Sequence, residues 1–111
     1  MRTIERGDAV IIRSTADFTI PMWSDSGRFL KRVAGMPGDN LELYDGKIVV
    51  NNQVLQERVM AHMNDDTKIK LRENEFFVLG DNLDNSMDSR FFGPIPRESI
   101  ESKVLGKLWP K

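Results

Sequence analysis

The 111 residues predict a mainly β domain with little helix. Apolar and polar residues alternate over short runs, turn-forming residues punctuate those runs, and no stretch carries an amphipathic helical stripe. There is no internal repeat.

Taken in order, Ala9–Arg13 is a short β-branched run that follows an Arg6-Gly7-Asp8 turn. Arg28–Gly35 reads as a strand closed by the turn Met36-Pro37-Gly38-Asp39. Asn40–Tyr44 alternates, with Leu41 and Leu43 on one face. Asp45-Gly46 is a hairpin signal, because a type I′ turn needs positive φ at both central positions. Lys47–Val50 then runs back, and Asn51-Asn52 repeats the turn chemistry before Gln53-Val54-Leu55, giving a three-stranded meander. The polar segment from Glu57 to Asp66 reads as a loop or a short helical turn. Thr67–Leu71 alternates, with Ile69 and Leu71 sharing a face. Glu75–Leu79 (EFFVL) is a nearly continuous apolar run, as expected of a buried strand. A long polar loop covers Gly80 to Pro96. Arg97–Ser102 reads as a helical turn and Val104–Trp109 as the last strand.

The length fits a single domain over residues 1–111, small enough that its stability margin is thin. Charged residues make up 30% of the chain but nearly balance, for a net charge of -1, which removes the basic footprint of a nucleic-acid partner. Cysteine is absent, so disulfides and thiolate metal sites are excluded. With His62 as the one histidine, a histidine metal cluster and a Ser-His triad are both disfavoured, and His62 itself reads as a solvated loop residue. No run approaches the roughly 18 apolar residues of a membrane-spanning helix. No secretory leader is visible either, so the chain as given is expected to be soluble. It starts abruptly, without an N-terminal element of its own, which points to an N-terminally truncated domain.

Two segments could carry chemistry. In a strand, Phe29, Lys31 and Val33 point one way while Leu30, Arg32 and Ala34 point the other. A lysine flanked by Phe and Val on its own face is partly desolvated, which lowers its pKa and suits a general base. From this segment alone, an edge-strand lysine snorkelling to water is the simpler reading. The second segment is the loop Gly80-Asp81-Asn82-Leu83-Asp84-Asn85-Ser86-Met87-Asp88-Ser89-Arg90, followed by Phe91-Phe92-Gly93-Pro94-Ile95-Pro96. Its short polar side chains can bond their own backbone and make it rigid, and Asp88 can pair with Arg90. Asp81, Asp84 and Asp88 supply oxygens, but their spacing misses the calcium-loop pattern. Phe76 and Phe77 read as core. Met22-Trp23, beside Pro21, reads equally as core or as an apolar loop touching lipid.

Lys31-Arg32-Val33-Ala34-Gly35-Met36-Pro37-Gly38-Asp39 resembles the lysine box of the type I signal peptidases, K-R-hydrophobic-x-G-x-P-G-D. The Gly80–Arg90 loop resembles their C-terminal box G-D-N-x-x-N-S-x-D-S-R, with Leu83 where the family often has Arg. Arg6-Gly7-Asp8 with Ala9–Ile12 resembles the R-G-D-hydrophobic segment, and Gly106-Lys107 the closing G-K. The boxes come in family order over nearly the whole chain. The resemblance implies mostly antiparallel sheets of the signal-peptidase type and a Ser/Lys serine endopeptidase that removes signal peptides from exported proteins, without a metal or other cofactor. Lys31 would be the general base and Ser86 would orient its amine, while Asp88, Arg90, Asp81 and Asn82 would support the site. Partners would be the signal peptides of exported preproteins. The full-length protein would sit at the outer face of the cytoplasmic membrane through an N-terminal anchor.

The family's nucleophile lies in an S-M-x-P-T motif upstream of the R-G-D segment, whereas the five residues before Arg6 contain no serine. Ser24 and Ser26, in Trp23-Ser24-Asp25-Ser26-Gly27, do not match that motif. The 111 residues alone are therefore expected to be inactive, and the exposed edges of such a piece to favour self-association. One alternative is a catalytically inactive paralogue that serves as a binding or regulatory domain; another is that a separate chain supplies the missing strand. Ser/Lys self-cleaving repressors share the architecture but lack the Gly80–Arg90 type of loop, and rank lower.

Overall fold

The computed structural model describes residues 3–44, 46–56, 67–81 and 87–104. These form β1 (Ala9–Arg13), β2 (Arg28–Gly35), β3 (Asn40–Tyr44), β4 (Lys47–Val50), β5 (Gln53–Gln56), β6 (Thr67–Lys70) and β7 (Glu75–Leu79). A single helical turn, α1 (Ser89–Phe92), precedes β8 (Ile95–Pro96), a 3₁₀ turn at Arg97–Ser99 and β9 (Ile100–Lys103). The strands make a five-stranded sheet in the order β8-β7-β2-β1-β9 and a four-stranded sheet in the order β5-β4-β3-β6. Every pairing in both sheets is antiparallel. The expected mainly β class and the meander β3-β4-β5 are both present.

Alternation of side chains divides the interior into two cores. Val33, Phe76 and Val78 enter a cluster with Ile4, Val10, Ile12, Ile20, Ile95 and Ile100, against which Phe29 and Met22 pack. Ala34, Phe77 and Leu79 face the other way, into a cluster with Leu41, Leu43, Ile48 and Val50 from the smaller sheet and with Leu71 just after β6. Strand β7 thus contributes to both cores, which explains why its sequence is apolar rather than alternating.

The junction of the sheets is made at the end of β2. A bulge between Val33 and Gly35 shifts the pairing with β7. At Gly35 an added Cβ would lie 2.8 Å from Leu71 Cδ1 and 3.0 Å from Phe77 Cβ, so any side chain there forces its neighbours to shift. Gly38, at φ +89°, follows Pro37 as a type II turn requires, and the turn closes through Asp39 N–H on the Met36 carbonyl at 3.0 Å. The second hairpin turn has Asn51 and Asn52 at φ 50° and 69°, as the sequence predicts. Asp45, of the first hairpin turn, lies outside the described residues, as does the segment 57–66 with His62.

One expectation is corrected: of the helical turn expected over Arg97–Ser102 only Arg97–Ser99 is helical, and Ile100–Lys103 form a strand. The polar sequence of β9 hides its strand character. It is imposed by pairing with β1, where Val10 faces Lys103 and Ile12 faces Ile100. Of the expected strand Val104–Trp109, all residues after Val104 lie outside the described ones. Strand β2 is the central strand of its sheet, but at Lys31 it pairs with β1 alone, since pairing with β7 begins at Arg32.

Candidate active site

Lys31 sits in the middle of β2, opposite Val10 of β1, and is half-buried. Its neighbours on the same face, Phe29 and Val33, belong to the first core. Burial pushes the Lys31 amine below its ordinary value; the Asp88 carboxylate opposes this and the Arg90 guanidinium reinforces it. The direction of this shift agrees with the desolvation expected from the flanking residues.

On the other side of β2, strand β7 ends with Leu79 opposite Arg32. The chain that continues from Gly80 thus passes alongside Lys31. It returns through Asp88, which is fully buried. The Asp88 carboxylate accepts from Gly80 N–H at 3.0 Å, from Arg90 N–H at 3.1 Å, from Arg90 Nε at 2.8 Å and from Arg90 Nη2 at 2.9 Å. This bidentate pair, with Asp88 also capping α1, closes the two ends of the loop on each other. Ser89, also buried, accepts Val78 N–H on its Oγ at 2.9 Å and so ties α1 to β7. That anchoring role is not visible in the sequence, because it depends on where β7 ends.

Asp81 opens the loop and pairs with Arg32, Nε to Oδ1 at 3.1 Å, while Arg32 Nη1 donates to the Gly7 carbonyl at 2.7 Å. The residue next to Lys31 is in this way fixed to both the loop and the Arg6-Gly7-Asp8 turn. That turn is held in its own right, with Gly7 at φ +92° and Asp8 accepting from Glu5 N–H at 2.7 Å and from Lys103 at 3.1 Å. Arg6 donates to Asp39 Oδ2 at 2.5 Å, and Asp39 also accepts from Met36 N–H at 2.7 Å and Asn51 Nδ2 at 3.0 Å. Burial alone would push the Asp39 carboxyl up, but these bonds outweigh it and hold the group below its ordinary value. Neither Arg6 nor Asp39 was singled out in the sequence for such a contact, since they are far apart along the chain.

Among the expected site residues, Lys31, Asp81, Asp88 and Arg90 are brought to the same end of the β2–β7 pair. Ser86 and Asn82 lie outside the described residues. Ser24 and Ser26 are placed elsewhere, at the tip of the turn entering β2, where Ser24 Oγ donates to the Arg28 carbonyl at 3.0 Å and Ser26 Oγ accepts Arg28 N–H at 3.1 Å. Arg28 is three residues before Lys31, roughly 10 Å along a strand. Trp23 projects to solvent at 82% exposure, while its neighbour Met22 packs on the first core, so the core reading holds for Met22 and not for Trp23. Pairing of β7 with β2 begins only at Arg32, so among the described residues Phe29 and Leu30 carry no strand on that side.

The family model described as "Signal peptidase, peptidase S26" matches residues 1–109. The chain belongs to the signal peptidase family. It is 32% identical to the "Probable signal peptidase I-2" of Synechocystis sp. over 99% of this chain and 50% of that relative. It is 34% identical to the "Signal peptidase I" of Leptolyngbya laminosa over 95% of this chain and 53% of the relative. The chain thus spans about half the length of the relatives it matches. A crystal structure of a signal peptidase I from Enterococcus faecalis V583 superposes with a TM-score of 0.67, covering 95% of this chain and 99% of that one at 24% identity, and so shares the fold. No helix among the described residues is long and apolar enough to cross a membrane.

Proposed function

We propose that these residues are the base-bearing part of a Ser/Lys endopeptidase that removes signal peptides from exported proteins. The observation that carries this reading is the position of Lys31: half-buried on a central strand, its amine pushed toward the neutral form, beside a loop locked by Asp88 and Arg90. A neutral amine has a lone pair for the proton of a serine hydroxyl as the oxygen attacks the scissile carbonyl. The resulting ammonium then returns a proton to the leaving amine. Asp88 draws the ammonium form and Arg90 opposes it, so the buried pair stabilises the loop without fixing Lys31 in its charged state.

The nucleophile in this reading is a serine of the S-M-x-P-T motif, which the 111 residues lack, and Ser24 and Ser26, bonded to Arg28 at the far end of β2, do not replace it. Ser86 orients the lysine amine, with Asn82 and Asp81 supporting the loop. An extended substrate adds as a strand along Phe29 and Leu30, which brings its scissile bond past Lys31. The substrates are signal peptides of exported preproteins, processed at the outer face of a membrane.

The test is cleavage of a preprotein by the full-length protein. The Lys31→Ala variant should lose at least about a thousandfold in kcat/KM, the scale on which dyad and triad members act. Ser24→Ala and Ser26→Ala should leave the rate unchanged, and the isolated 111 residues should not cleave. Full activity in Lys31→Ala would remove Lys31 from the role of base, and an inactive full-length protein would favour a binding or regulatory paralogue instead.

A further inference from the structure

The face of β2 opposite Lys31 holds a cavity that the proposed chemistry does not use. Its volume is about 280 Å³, and it lies where the two sheets meet behind the base. Ala34, Leu79 and Leu55 give it apolar walls, while Gly7 and Gly80 leave it without side chains at two further positions. Ala34 and Leu79 are buried, whereas Leu55 on β5 is 40% exposed, so the cavity opens past Leu55. That size suits a small ligand or one aliphatic chain, at the lower limit of ordinary ligand sites.

One end is polar, lined by Arg6, Arg32 and Asp81, with Arg6 paired to Asp39 and Arg32 to Asp81. Arg6 is held in place by Nη1, which bonds both Asp39 and the Ala34 carbonyl. Among the described residues Nε and Nη2 of Arg6 donate to no protein group, and its side chain is 39% exposed. A guanidinium anchored by one nitrogen presents its remaining N–H groups in a rigid fork, a geometry suited to a carboxylate. Arg32, fixed by Asp81 and the Gly7 carbonyl, flanks the same end. From the apolar walls and this anchored fork we propose that the cavity binds an aliphatic carboxylate, its chain against Ala34, Leu79 and Leu55 and its carboxylate on Arg6. Free fatty acids and the C-termini of apolar peptides share this chemistry.

The test is a titration of the isotope-labelled full chain with octanoate, followed by backbone amide NMR. Saturable shifts should centre on Gly7, Leu79 and Gly80 rather than on Val10 and Phe29. Octanamide, which keeps the chain and lacks the charge, should bind at least about tenfold more weakly. Leu55→Glu, a change at a half-exposed position, should abolish the shifts while leaving the spectrum dispersed, and Ala34→Leu should fill the cavity to the same effect. Tighter binding of N-acetyl-leucyl-leucine than of octanoate would assign a peptide C-terminus, and the reverse a fatty acid. Absence of saturable shifts, shifts centred elsewhere, or equal binding of octanamide would overturn the proposal.

Discussion

Asp88 and Arg90 form a buried bidentate pair, with Nε to Oδ1 at 2.8 Å and Nη2 to Oδ2 at 2.9 Å, and their side chains are 0% and 1% exposed. The pair acts on Lys31 in opposite senses, since the carboxylate favours the ammonium and the guanidinium disfavours it. Removing the cation therefore does two things. Arg90→Gln leaves a buried carboxylate without its partner, which should destabilise the fold by about 3–5 kcal/mol in urea unfolding. In whatever fraction remains folded, the Lys31 amine should titrate at higher pH than in the wild type, as followed by NMR of the lysine side chain. A stable variant with Lys31 unmoved would show that the pair neither braces the loop nor tunes the base.

The Asp39 carboxylate, bonded by Arg6, Asn51 and Met36 N–H, gives the junction of the sheets a dependence on acid. Its pKa is held below the ordinary 3.8, so the folded state binds this proton less readily than the unfolded chain. The resulting stability is fully present above that ordinary value and is lost as pH falls through the lower folded value. Asp39→Asn should lower stability at pH 7 by about 2–3 kcal/mol, through loss of a charge-assisted bond at a largely buried site. It should also flatten the acid limb of a plot of unfolding free energy against pH. An unchanged acid limb would place the acid sensitivity elsewhere.

Gly35 tests the packing of the two sheets. With Leu71 Cδ1 at 2.8 Å and Leu41 Cδ1 at 3.1 Å from the place of an added Cβ, Gly35→Ala should cost about 1–3 kcal/mol by overpacking. The midpoint of thermal unfolding is the readout. A neutral result would mean that the second core yields easily.

Lys31 should cost stability in its charged form. Because its folded pKa is lowered, the unfolded chain binds that proton more readily, and stability rises with pH from the folded value toward the ordinary 10.5. Lys31→Met should therefore be more stable than the wild type at neutral pH, with the advantage shrinking as pH approaches 10.5. Denaturant unfolding across that range measures it. An advantage independent of pH would reflect packing alone.

Much of this was legible along the chain, because half-buried antiparallel strands write their alternation into the sequence. Leu41 and Leu43, or Phe29, Lys31 and Val33, fall on the faces their spacing dictates. The turn at Asn51-Asn52 was legible for a different reason, since few residues accept positive φ. What was not legible depends on packing between distant segments. The Arg6–Asp39 bond, the Ser89 anchor on Val78 and the central place of β2 all follow from how two sheets meet, and no local pattern encodes that. For the same reason Ile100–Ser102, expected in a helical turn, belong to β9, the pairing with β1 outweighing the polar run Glu101-Ser102-Lys103. Of the site, Lys31, Asp81, Asp88 and Arg90 were found from the family boxes, and the structure adds the bonds that hold three of them.

The account depends most on the ionisation of Lys31. Its most direct test is an NMR titration of the Lys31 side chain in the folded full-length protein, compared with the pH dependence of kcat/KM for preprotein cleavage. The account predicts half-titration below the ordinary value of 10.5, with kcat/KM rising through that same pH as the neutral amine appears. A Lys31 that titrates at or above 10.5, or a rate that rises through an unrelated pH, would contradict it.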